Sequence, residues 1–76
     1  MSDIEKVIKK IQELIPQAPS KWADMIAERM GKSTSMVHMY ARGEKGLRNG
    51  GAIEVLKHIK TIIQEEAEEI KKLIAS

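Results

Sequence analysis

The sequence predicts a small all-α domain: four helices with a long C-terminal helix. Three observations carry this. Apolar residues recur at steps of three and four in separate stretches. Gly, Pro and Ser residues fall between those stretches, where helices start and stop. The chain has 76 residues and no cysteine, so it reads as one domain held without disulfides, by efficient helix packing, a metal or a partner subunit.

The first helix is expected over residues 3–15. Ile4, Val7, Ile8, Ile11, Leu14 and Ile15 make its apolar face, with Glu, Lys and Gln between them. Ser2 or Asp3 caps its start. Pro16 ends it, because the residue before a proline is pushed out of the helical region. A rigid connector runs from Pro16 to Pro19.

Ser20 reads as the N-cap of the second helix, and Asp24 sits in its first turn, where the helix dipole favours negative charge. Trp22, Ala23, Met25, Ile26, Ala27 and Met30 supply the apolar side, with Met25, Met30 and Met36 read as core filler. Gly31 stops this helix. Ser33 caps a third helix from about Thr34 to Arg42, and Gly43 closes it. Trp22 reads as a core or hinge residue; by phase Val37, Tyr40 and Ala41 point inward, while His38 and Met39 point outward.

Residues 43–51 hold four of the five glycines and read as a loop. The last helix is expected over residues 52–75, lined by Ile53, Leu56, Ile59, Ile62, Ile63, Ala67, Ile70, Leu73 and Ile74. At 24 residues it reaches ~36 Å, so it overhangs the other three helices. Leu56, Ile59 and Ile63 are expected to pack on the domain. Glu65, Glu66, Glu68 and Glu69 read as a solvated face, and His58, four residues from Glu54, as ordinary surface. Ile63, Ala67, Ile70, Leu73 and Ile74 are the expected oligomer interface, joined with the first helix in a homodimer.

Several function classes are disfavoured. The chain shows no Ser/His/Asp set, no phosphate loop and no metal-ligand spacing, so no enzymatic activity, cofactor, metal or small-molecule substrate is expected. Two aromatic residues leave little for base-stacking platforms. No apolar run exceeds three residues, so no membrane span is expected. The first ten residues lack the apolar core of a signal peptide, and a cytoplasmic location is expected.

The net charge is only +2, but it is unevenly placed. Residues 1–28 carry −1, residues 29–60 carry +5 and residues 61–76 carry −2. The positive block spans the third helix, the glycine loop and the start of the last helix. Local field, more than total charge, steers a protein toward a polyanion.

Two short helices joined by a turn containing Gly form a helix–turn–helix. Ala27, Gly31, Val37, Tyr40 and Gly43 fall at spacings that give each a part: a small residue at the helix crossing, a turn glycine, two core residues and a closing glycine. This pattern over residues 20–43 resembles the lambda-repressor-like (Cro/repressor-type) helix–turn–helix DNA-binding domain. The chain departs from that family at Ala23, where Gln is common, and at Lys32, where an aliphatic residue is usual. One long helix also stands in place of the family's later helices.

The resemblance implies a small bacterial or phage transcription regulator, a repressor by type, that occupies double-stranded DNA as a dimer. It would work in the cytoplasm, at the nucleoid or in an infected host cell. It implies that residues 33–42 form the recognition helix. Thr34, Ser35, His38, Met39 and Arg42 would then meet base edges, with Arg42 the bidentate candidate for guanine. Ser20, Lys21, Lys32, Ser33, Tyr40, Lys45, Arg48 and Asn49 would meet phosphates. The alternative is a helical adaptor that uses the same scaffold for protein contacts.

Overall fold

The computed structural model describes residues 2–44 and 46–75. Its helices are α1 (Asp3–Leu14), α2 (Trp22–Met30), α3 (Thr34–Arg42) and α4 (Asn49–Ala75), with a 3₁₀ turn at Ile15–Gln17. The small all-α domain with a long C-terminal helix is thus observed.

Of the two expected caps, Ser2 starts α1: its Oγ accepts from the Glu5 backbone N–H at 3.3 Å. Pro16 does not release the chain at once. It sits inside the 3₁₀ turn, which the Ala18 N–H closes on the Ile15 carbonyl at 3.0 Å. Its missing N–H costs nothing in that position.

Ser20 is a correction. α2 starts at Trp22, Lys21 occupies the cap position, and no side chain caps it. The backbone turns in through Trp22 N–H to Pro19 carbonyl, 3.0 Å, so Ser20 stays in the preceding turn.

α2 and α3 end alike. Gly31 (φ 66°) and Gly43 (φ 68°) are both left-handed, a conformation glycine takes without steric cost. The following N–H groups reach back: Lys32 to the Ala27 carbonyl at 3.0 Å, and Glu44 to the Met39 carbonyl at 3.2 Å. At the start of α3 the Ser33 Oγ accepts from the Met36 N–H at 3.1 Å.

α4 starts earlier than expected, at Asn49 rather than residue 52, and so takes in Gly50 and Gly51. Glycine costs a helix roughly 1 kcal/mol relative to alanine. Packing against α3 overrides that preference. With 27 residues the helix reaches ~40 Å.

The core is a cluster in which Ile11, Ile26, Val37, Val55, Ile59 and Ile62 are fully buried. Trp22, Ala23, Ala27, Ala41 and Ala52 are buried around them. The small alanines let the helices approach closely. Among the described residues no polar or charged side chain is buried.

Leu56, Ile59 and Ile63 pack on the domain as expected, while two other expectations need correction: Ile53 does not line the core, and Met25 is not core filler. Ala52, Val55, Ile59 and Ile62 of α4 face the core, at steps of three and four, whereas Leu56 and Ile63 are half-buried on its shoulder. Ile53 is 41% exposed. The apolar stripe is wider than one face, and the elements packed against it select the deep positions. Met25 is also exposed, and Met30 and Met36 are only half-buried.

Glu65 is not simply solvated. The Arg29 guanidinium lies 3.0 Å from its carboxylate and bridges the end of α2 to the middle of α4. His58 is half-buried rather than open surface. Beyond the last fully buried residue, Ile62, α4 runs on with Ile70 49% and Ile74 78% exposed. Among the described residues no helix is long and apolar enough to cross a membrane.

Candidate nucleic-acid interface

α2, the Gly31–Ser33 turn and α3 form a helix–turn–helix whose second helix is anchored at both ends. Ser33 fixes its start and Gly43 its stop. Val37 and Ala41 hold one side of α3 in the core. Helical periodicity then turns Ser35, His38, Met39 and Arg42 to the opposite side, at steps of three, one and three. Ser35, His38 and Arg42 are exposed, and Met39 is half-buried.

Thr34 stands apart from that face. It is half-buried, and its hydroxyl donates to the Asp24 carboxylate on α2 at 2.8 Å. This bond ties the start of α3 back to α2, so as a base contact Thr34 keeps only its oxygen lone pairs for an incoming donor.

His38 rests its ring edge-on against Trp22, with centroids 5.3 Å apart and planes at 73°. Trp22 is buried in the core cluster, the first of its two expected places. The contact sets the position of the imidazole on the outer face, while the ring stays open to solvent.

Arg42 is exposed but not free. Its Nε donates to the Glu44 carboxylate at 3.1 Å, and its Nη2 contacts the same oxygen. The one bidentate candidate for guanine is therefore already engaged in an exposed ion pair with Glu44. The pair spans the Gly43 stop, whose reversal of the chain brings Glu44 beside Arg42.

The expected phosphate contacts occupy separate places. Ser20 and Lys21 precede α2, and Lys32 and Ser33 lie in the turn before α3. Tyr40, Arg48 and Asn49 line a cleft between α1, the end of α3 and the start of α4. Tyr40 is half-buried, its ring set against the α4 backbone. Lys45 lies outside the described residues. Lys21, Lys32, Arg48 and Asn49 are exposed.

Sequence reasoning missed Asp24 and Glu44 as partners of this face. Asp24 explains itself locally, as an acid in the first turn of α2, and gives no sign that it also reaches Thr34. Glu44 carried a usable signal: an acid two residues past an arginine, across a glycine stop. Among the described residues no group of three His, Cys, Asp or Glu side chains stands ready to hold a metal.

Neither protein-family models, nor curated proteins, nor solved structures match this chain.

Proposed function

We propose that this protein binds double-stranded DNA with sequence preference, as a small transcription regulator of bacterial or phage type that acts by site occupancy. The observation that supports this best is the outer face of α3. It is a helix pinned at both ends that presents Ser35, His38, Met39 and Arg42 together, within the stretch of the chain that carries +5. A pinned helix with polar groups on its free side suits the major groove. Lys21, Lys32 and Arg48 are exposed cations that supply phosphate contacts, the larger part of the affinity in this reading.

The test is fluorescence anisotropy with duplex DNA across a salt series. Binding at 50 mM salt is expected, with log K falling by about 0.9 per phosphate neutralised for each log unit of salt. Lys32→Ala and Arg48→Ala should each make that slope shallower by about one phosphate. A flat salt response, or no binding at low salt, removes the reading. Selection of bound sites from random duplexes then gives the preferred sequence.

A second reading is an adaptor that works through protein contacts. The exposed apolar end of α4, with Ile70 and Ile74, favours it. Paired Arg42→Ala and Arg48→Ala changes abolish function under the DNA reading and spare assembly. Under the adaptor reading the arginine changes are harmless and Ile70→Asp abolishes the contact, whereas under the DNA reading Ile70→Asp weakens duplex binding only through loss of the dimer.

A further inference from the structure

The half-open cleft between α1, the end of α3 and the start of α4 has a volume of about 480 Å³. Small-molecule sites run from roughly 300 to 1,000 Å³, so its size suits a compact ligand. Ile4, Ile8, Leu47, Ala52 and the ring of Tyr40 give it apolar walls.

The charges at its mouth are unequal. Arg42 is held by Glu44. Glu5 and Lys9, one helical turn apart on α1, carry opposite charges that cancel in the sum over the lining, without an ion pair between them among the described residues. Arg48 also lines the cleft, and among the described residues no carboxylate pairs with it. A guanidinium matches a carboxylate through two parallel N–H donors. Apolar walls beside a described lining of net charge +1, in which Arg48 offers a guanidinium with no carboxylate on it, favour a ligand with an apolar body and a single anionic group.

We propose that this cleft binds a small apolar carboxylate, with Arg48 taking the carboxylate and the α1 isoleucines and Tyr40 taking the body. The regulatory consequence rests on the DNA reading. Tyr40, Arg42, Arg48 and Asn49 line the cleft and also belong to the proposed DNA contacts. A bound carboxylate and a DNA phosphate compete for Arg48, so the ligand releases DNA.

The test uses the full chain, labelled with nitrogen-15 and free of DNA. 2-Naphthoate is titrated against its uncharged isostere, 2-naphthamide. Naphthoate is expected to shift the amide signals of Ile8, Leu47 and Asn49 saturably, and to bind roughly tenfold more tightly than naphthamide. Arg48 is exposed, so Arg48→Gln folds normally, and it should bring naphthoate down to the naphthamide level. Equal binding of the two compounds, or unchanged naphthoate binding in Arg48→Gln, overturns the site. So do shifts confined to the exposed end of α4.

Duplex binding is then measured with and without saturating naphthoate. Weakened duplex binding supports the coupling. Unchanged duplex binding with the cleft occupied overturns the coupling alone. A chain that binds naphthoate and no duplex leaves the cleft standing and removes the DNA reading. A chain that binds duplex and no naphthoate does the reverse.

Discussion

The ring of Tyr40 on α3 lies against the backbone of Gly51 on α4, so closely that a methyl group at Gly51 would overlap three of its carbons. This contact explains why α4 tolerates a glycine in its first turn. It also joins the proposed recognition helix to the long helix.

Gly51→Ala and Gly50→Ala should therefore move stability in opposite directions. Alanine is favoured in a helix by up to about 1 kcal/mol. At Gly50, where nothing lies within 4 Å, that gain is realised in part, about 0.5 kcal/mol near a helix end. At Gly51 the overlap with Tyr40 outweighs it, and overpacking of this kind costs about 1–3 kcal/mol. Urea melts of the two variants give the check. A Gly51→Ala protein as stable as the parent means that the ring moves aside freely.

Ser33→Ala removes the acceptor for the Met36 N–H and should cost about 1 kcal/mol. Ser33→Asp keeps an acceptor and adds a negative charge at the positive end of the helix dipole, so the fold is retained. Next to a proposed DNA face that same charge repels phosphate. The variant is expected to melt like the parent and bind duplex several-fold more weakly. Equal duplex binding by Ser33→Asp and the parent places the DNA surface elsewhere.

Glu44→Gln should strengthen duplex binding. It releases Arg42 and removes an acid beside the proposed face. An exposed ion pair is worth about 1 kcal/mol or less, which sets the gain at roughly threefold to fivefold. The gain must vanish when Arg42→Ala is added. Anisotropy titrations of the single and double variants measure it.

Ile70→Asp tests the homodimer. Ile70 lies two helical turns beyond Ile62, the last fully buried residue, so the change leaves the core alone. In sedimentation the parent chain is expected to form dimers at high concentration and the variant to remain monomeric, with equal helix content by circular dichroism. A parent chain that stays monomeric removes the dimer. A dimer would set two recognition helices about 34 Å apart, one turn of duplex.

Much of the site was legible in the chain because its signals are local. Ser33, Gly31 and Gly43 act within a turn of their own positions, and the helices they bound fall where the sequence puts them. The outward phase of Ser35, His38 and Arg42 follows from helical periodicity. The partners of Thr34 and Arg42 were not legible. Asp24 meets Thr34 because two helices cross, and Glu44 meets Arg42 because Gly43 turns the backbone in a particular direction.

The sequence by itself determined an all-α chain, the caps at Ser2 and Ser33, the glycine stops at Gly31 and Gly43, and the uneven charge. These depend on backbone preferences and on residues three or four apart, which act before any tertiary contact forms. Only the tertiary structure decided where α4 begins and which of its apolar residues are deepest. Gly50 and Gly51 read as loop until Tyr40 packs against Gly51, and Val55 and Ile62 outrank Leu56 and Ile63 once the other helices select one side of a wide stripe. The Arg29–Glu65 bridge, 36 residues apart in the chain, belongs with these. Burial is settled by what comes to lie against a side chain, and that is a property of the packed helices.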